Sequence, residues 1–99
     1  MLDIEKSIEK GKASFSLKGR LDTTSAPALE REFKDVLADV SELMLDFSAL
    51  EYISSAGLRV LLSAQKLMNK QGQMKIAHVN ETVREIFEVT GFSEILTIE

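Results

Sequence analysis

The sequence contains no cysteine, which excludes a disulfide framework, a thiolate metal site and a cysteine nucleophile together. It has one histidine, His78, and so no histidine pair to clamp a metal. No window approaches the ~20 apolar residues that span a bilayer. The opening stretch MLDIEKSIEKGK has no apolar core of signal-peptide length. A cytoplasmic address without membrane insertion is therefore expected. Positive charge is also short: 16 acidic residues face 12 basic ones, for a formal charge of -4. That balance discourages nucleic acid and anionic membranes as partners and makes a basic protein surface the expected complement. No cofactor and no metal are expected.

What is present is an ordinary globular composition, 44% hydrophobic and 28% charged over 99 residues. It predicts one domain, residues 1–99, with a single core. Leu2, Ile4 and Ile8 alternate with Asp3, Glu5 and Glu9, the period of a half-buried strand. Gly11 and Lys12 read as a turn, and Ala13, Phe15 and Leu17 resume the alternation, so the first two strands form a hairpin. After Leu21 and Asp22 the period lengthens. Thr24 or Ser25 can cap a helix that tolerates Pro27, the one proline, in its first turn, with Leu29, Phe33, Val36, Leu37 and Val40 on one face. Leu43, Met44 and Leu45 read as a short strand covered on both faces that ends at Asp46. Leu58, Leu61, Leu62, Gln65 and Met68 trace a second helical face, with Gly72 as the turn after it. Residues 74–79 read as another strand. Asn80 caps a third helix through Val83, Ile86 and Phe87 that Gly91 ends, and residues 95–98 form a weak strand or tail.

The order predicts an α/β fold: a mixed sheet of four to five strands, beginning with the hairpin and continuing as alternating βα units, with three to four helices. The first strand is its antiparallel edge. Loops leaving the C-terminal ends of parallel strands gather on one side, where α/β proteins place their sites. Asp22, residues 46–55 and residues 78–80 are expected on that edge.

The sharpest chemistry lies in YISSAGLRVLL, residues 52–62. With Ser54 as N-cap, Ser55 is the first helical residue, and Ala56 and Gly57 keep the turn narrow. A phosphate on Ser55 would meet unpaired backbone N–H groups and the favourable end of the helix dipole. On local sequence alone, a plain helix cap is the commoner use of two serines before an apolar helix. A serine nucleophile would need a base, for which only His78 is available, and the nucleophile-elbow pattern GxSxG is absent. An enzyme is not expected.

The stretch LMLDFSALEYISSAGLRVLL, preceded by GRLDTTSAPALE and followed by GFSEILTI, resembles the STAS domain family, specifically its single-domain bacterial anti-sigma factor antagonists. The resemblance covers nearly the whole chain and implies a STAS-like sheet and a partner switch. The unmodified antagonist binds an anti-sigma factor that is also a serine kinase, and a sigma factor is freed. Phosphorylation of the antagonist ends the association, and a PP2C-type serine phosphatase resets it. Aligned through Gly57 and Leu58, the family's phosphorylated serine falls on Ser55, with Ser54 as rival target. The resemblance places partner-binding residues at Asp22, Thr23, Asp46, Ser54, Ala56, Gly57, Leu58 and Arg59, on a monomer or weak dimer. Many members carry Asp where this chain has Ser54, and a second hydroxyl where it has Ala56.

Plainer roles stand beside these. Asp22 can begin a turn or cap the first helix, Asp46 can hold its own loop, and His78 can be a packing residue. Val60 and Leu67 lie off the main stripe of the second helix, which implies a second covered side or an apolar patch. A constitutive adaptor subunit, for example of a lipid-transport complex, would use the same fold without phosphorylation.

Overall fold

The computed structural model describes residues 2–99. Strands β1 (Leu2–Glu9) and β2 (Lys12–Leu21) form the hairpin. Glu9 pairs with Lys12, so the turn is Lys10 and Gly11, one residue earlier than composition suggests. Both turn residues have positive φ, 47° and 82°, the geometry whose twist matches that of the flanking strands in a two-residue hairpin.

Helix α1 (Ala26–Val36) follows, with Pro27 in its first turn, where a missing N–H costs nothing. It ends earlier than the apolar spacing implies: a 3₁₀ turn, Leu37–Asp39, intervenes and Val40 is already extended. Strand β3 (Glu42–Ile53), helix α2 (Ser55–Gln71), strand β4 (Gln73–Ala77), helix α3 (Glu81–Thr90) and the short helix α4 (Phe92–Ile95) complete the chain. The sheet order is β1-β2-β3-β4. The β1/β2 pair is antiparallel, while β2/β3 and β3/β4 are parallel. Residues 95–98 contribute only one further bridge, Ile98 to Ile76, in place of a fifth strand.

Strand β3 departs most from expectation. It does not end at Asp46 but runs on to Ile53, so its 12 residues pair with the 10 of β2. Two bulges absorb the excess: Ser16 and Lys18 oppose Asp46 and Ala49, and Gly19 and Arg20 oppose Leu50 and Tyr52. Nor is the strand covered on both faces. Leu43, Leu45 and Phe47 are buried, whereas Met44 and Asp46 are only half-buried on the other side.

The helices therefore lie on one face of the sheet. Phe33 of α1 meets Phe15 of β2 edge to face at 5.1 Å, and Phe87 of α3 lies 6.4 Å from Phe47 of β3. Leu29, Leu61, Met68 and Ile76 fill the space between. Val60 is buried while Leu67 stays exposed at the lip of the α1/α2 groove, so α2 is covered on a second side by α1. The opposite sheet face is open and polar, lined by Asp3, Glu5, Ser16, Lys18, Asp46 and Ser48. Ile8, expected inward, is 52% exposed on β1, the edge strand of the sheet.

Candidate functional site at the start of helix α2

Strands β2 and β3 end side by side, Leu21 opposite Ile53, and α2 begins two residues later. The backbone N–H of Ser54 donates to the carbonyl of Leu21 at 2.9 Å, which fixes the turn against the end of β2. Ser54 is the N-cap: its backbone is extended and its hydroxyl accepts from the Gly57 N–H at a long 3.5 Å. That hydroxyl is half-buried and partly used. Ser55, the first helical residue, is exposed, and the first turn of α2 carries no acidic residue.

Gly57 and Leu58 serve the architecture of this turn and offer no outward side chain, since both are buried. A Cβ on Gly57 would stand 2.7 Å from Leu21 Cγ and 2.8 Å from Ile53 Cγ1, so only glycine lets α2 start this close to the strand ends. Ala56 is half-buried, and Arg59 is exposed one turn after Ser55.

Asp22 follows Leu21 directly and belongs to the same edge. Its Oδ1 accepts from the Thr24 hydroxyl at 2.8 Å, the Thr24 N–H at 3.1 Å and the Ser25 N–H at 3.2 Å. It thus organises the turn into α1, a role that Ser25 supports by donating its hydroxyl to the Arg20 carbonyl at 2.8 Å. The Thr24 hydroxyl, followed by the Ser25 bonds, holds the Asp22 carboxyl below its usual value against a smaller opposing effect of burial. Thr23 is exposed beside it.

Asp46 is not on this edge. Because β3 continues for seven more residues, Asp46 lies mid-strand on the open sheet face, opposite Ser16 and Ala77. Its Oδ1 accepts from the Ser48 N–H at 2.9 Å and lies 3.1 Å from His78 Nδ1. The Ser48 N–H is the main cause holding its carboxyl below the usual range. His78 is not a packing residue: it is exposed, with φ 61°, just beyond the end of β4. Asn80 reaches back to the Leu50 carbonyl at 2.6 Å and caps α3 through the Val83 N–H at 2.8 Å.

Two residues at the edge were not singled out in the sequence. The Arg20 guanidinium lies 4.5 Å from the centre of the Tyr52 ring, its partner in register, and Arg20 Nε is 3.9 Å from Asp22 Oδ2. The available signal was the GRLD spacing, which puts Arg20 and Asp22 on the same side of a strand end.

No helix among the described residues is long and apolar enough to cross a membrane, and no cluster of three metal-ligating side chains occurs among them. The arrangement therefore offers an exposed hydroxyl at a helix start, beside an ordered acidic turn.

Comparison with known proteins gives this site a context. The chain is 39% identical over 84 residues to BtrV of Bordetella bronchiseptica, named as a candidate anti-sigma factor antagonist, covering 83% of this chain and 72% of that one. It is 27% identical over 100 residues to the anti-sigma F factor antagonist of Paenibacillus polymyxa, covering 98% and 86%. The crystal structure of an anti-sigma factor antagonist from Mycobacterium paratuberculosis superposes with a TM-score of 0.88 at 25% identity, over 99% of this chain and 85% of that one. The STAS domain model itself matches residues 3–99, from the edge strand to the final bridge, and the chain belongs to the STAS domain family.

Proposed function

We propose that this protein is an anti-sigma factor antagonist switched at Ser55. Unmodified, it binds an anti-sigma factor that is also a serine kinase, and so releases a sigma factor. The kinase transfers the γ-phosphoryl group of ATP to the Ser55 hydroxyl, the association ends, and a PP2C-type phosphatase restores the hydroxyl. The protein is a binding partner and a phosphorylation substrate in the cytoplasm, not an enzyme.

The observation that carries the reading is the contrast between adjacent serines. Ser54 is half-buried and accepts a long cap bond from the Gly57 N–H, while Ser55 is exposed at the first helical position with no acid in the turn. Phosphate there would add about -1.5 to -2 charges where backbone N–H groups and the helix dipole favour an anion. The names of the relatives support the partner class. In this reading Asp22, Thr23, Ala56 and Arg59 supply the partner contacts beside the serine. Asp46 serves the open sheet face instead.

The test begins with proteins from the source cells retained by the Ser55→Ala variant. A purified retained protein should phosphorylate the parent chain with ATP, on the Ser55 peptide by mass spectrometry, and should release a bound sigma factor when the unmodified chain is added. A retained partner that neither phosphorylates the chain nor holds a sigma factor would replace this reading with that of a constitutive adaptor.

A further inference from the structure

Helix α2 differs in charge from the rest of the molecule. Its 17 residues include Arg59, Lys66 and Lys70 and no Asp or Glu, which leaves nine basic residues against sixteen acidic ones elsewhere. The three cations are not scattered around the helix. At about 100° per residue, Ser55, Arg59, Lys66 and Lys70 fall within roughly 60° of one another, in a single stripe. All four are exposed, and none of the three cations takes part in an ion pair among the described residues. Leu62, between them on the same side, is half-buried. The flank toward α1 is mixed, with Glu30 and Lys34 beside Ser63 and Leu67. A helix that only had to cover the sheet would need no such bias, since acidic residues on its outer face would keep it equally soluble.

We infer that the exposed stripe Arg59, Lys66 and Lys70 is a docking surface for an acidic patch on the partner that acts on Ser55. The inference rests on the functional reading above and adds the partner's chemistry to it. It also reverses the expectation from net charge, which pointed to a basic complement: the exposed face of α2 that follows Ser55 carries the opposite sign to that of the whole chain. Three cations on a surface otherwise rich in acids are too few for a nucleic-acid groove or an anionic bilayer, because the surrounding carboxylates repel a long polyanion. A bounded acidic patch on a folded protein meets the stripe without meeting the rest. Phosphorylation then acts at the head of this stripe. Its charge of about -1.5 to -2 offsets about half to two-thirds of the three positive charges, so the covalent step itself weakens the attraction that brought the partner in.

The experiment has two arms. In the first, the purified partner retained by Ser55→Ala is titrated with Ser55→Ala alone and with Ser55→Ala carrying Arg59→Glu, Lys66→Glu and Lys70→Glu, each checked by circular dichroism. Affinity should fall at least about tenfold at low salt and the loss should shrink at high salt, because rim charges act through screened, long-range attraction. Equal affinities at low salt would overturn the stripe and leave the switch standing. In the second arm, the ¹⁵N-labelled parent is titrated with a deca-glutamate peptide, with phosphatidylglycerol vesicles and with a 20-base-pair DNA duplex. Peptide-induced shifts confined to residues 59–70 support the inference even if no kinase is found, the result that would sink the functional reading instead. Tighter binding to vesicles or duplex than to the peptide, or shifts spread over the whole surface, would overturn it.

Discussion

The Ser54 N–H donates to the Leu21 carbonyl at 2.9 Å, and one helical turn further on Gly57 packs against the same residue. The end of β2 and the start of α2 are therefore one unit, held by a hydrogen bond and a close approach that leaves no space for a methyl group. The placement of Ser55 depends on this unit.

Gly57→Ala tests it. The new Cβ would lie 2.7 Å from Leu21 Cγ and 3.0 Å from the Leu21 carbonyl oxygen, and the backbone atom cannot rotate away. Overpacking of this kind costs about 1–3 kcal/mol, against at most about 1 kcal/mol gained from better helix propensity. A net loss of up to about 2–3 kcal/mol in urea unfolding is expected, and a variant more stable than the parent would show that α2 can shift outward freely.

The two serines should separate in opposite ways. Ser54→Ala removes the cap acceptor, and the 3.5 Å bond places the loss near the low end of the usual range, about 0.5–1 kcal/mol, with Ser55 still phosphorylated. Ser55→Ala should leave the melting temperature unchanged and abolish the phosphopeptide, with the variant remaining bound. Phosphate on Ser54 in the parent would reverse the assignment.

How much of this was legible in the sequence depended on periodicity. The hairpin, the faces of α2 and α3 and the caps at Asn80 and Gly91 follow regular spacings or single-residue preferences, and the structure has them within a residue or two, whereas α1 stops four residues short of Val40. Strand β3 was misread because its two bulges shift the alternation after Phe47: Ser48 and Ala49 are both exposed, then Leu50 and Ile53 are buried. A bulge is defined by the partner strand, so no local pattern announces it. Asp46 was moved off the candidate edge for this reason alone. The Arg20–Tyr52 contact is likewise a product of register, between residues far apart in the chain.

Acid should destabilise the fold partly through Asp22 and Asp46. Both carboxyls are held below the ordinary 3.8 in the folded chain, Asp22 chiefly by the Thr24 hydroxyl and Asp46 chiefly by the Ser48 N–H. A group whose folded value is lowered contributes stability that is present above its unfolded value and is lost as the pH falls through the folded one. Asp46→Asn and Asp22→Asn keep an acceptor oxygen for the Ser48 N–H and the Thr24 hydroxyl but remove the charge. The parent should therefore exceed each variant in urea midpoint at pH 5, and the gap should close as the pH falls below 3.8. A gap that widens on acidification would show that the carboxylates are not the favoured form in the fold.

Phosphorylation of Ser55 should change binding far more than stability. The phosphate is exposed, beside first-turn amides and at the positive end of a 17-residue helix, where an anion contributes about 0.3–1 kcal/mol. The phosphorylated protein should thus melt at the same temperature as the parent or a few degrees higher, since about 1 kcal/mol corresponds to roughly 4–8 °C in a domain of this size. In the complex the same charge would be desolvated against an acidic patch, where an uncompensated ion costs several kcal/mol. Affinity should accordingly drop by orders of magnitude while the circular dichroism spectrum stays unchanged. Ser55→Asp, with one charge instead of nearly two and a shorter reach, should fall between the parent and the phosphorylated form in affinity. Calorimetric titration and thermal melts of the three forms measure both quantities on the same samples. A marked fall in melting temperature on phosphorylation would mean that the switch works by loosening α2 from the end of β2 and not by the charge it presents.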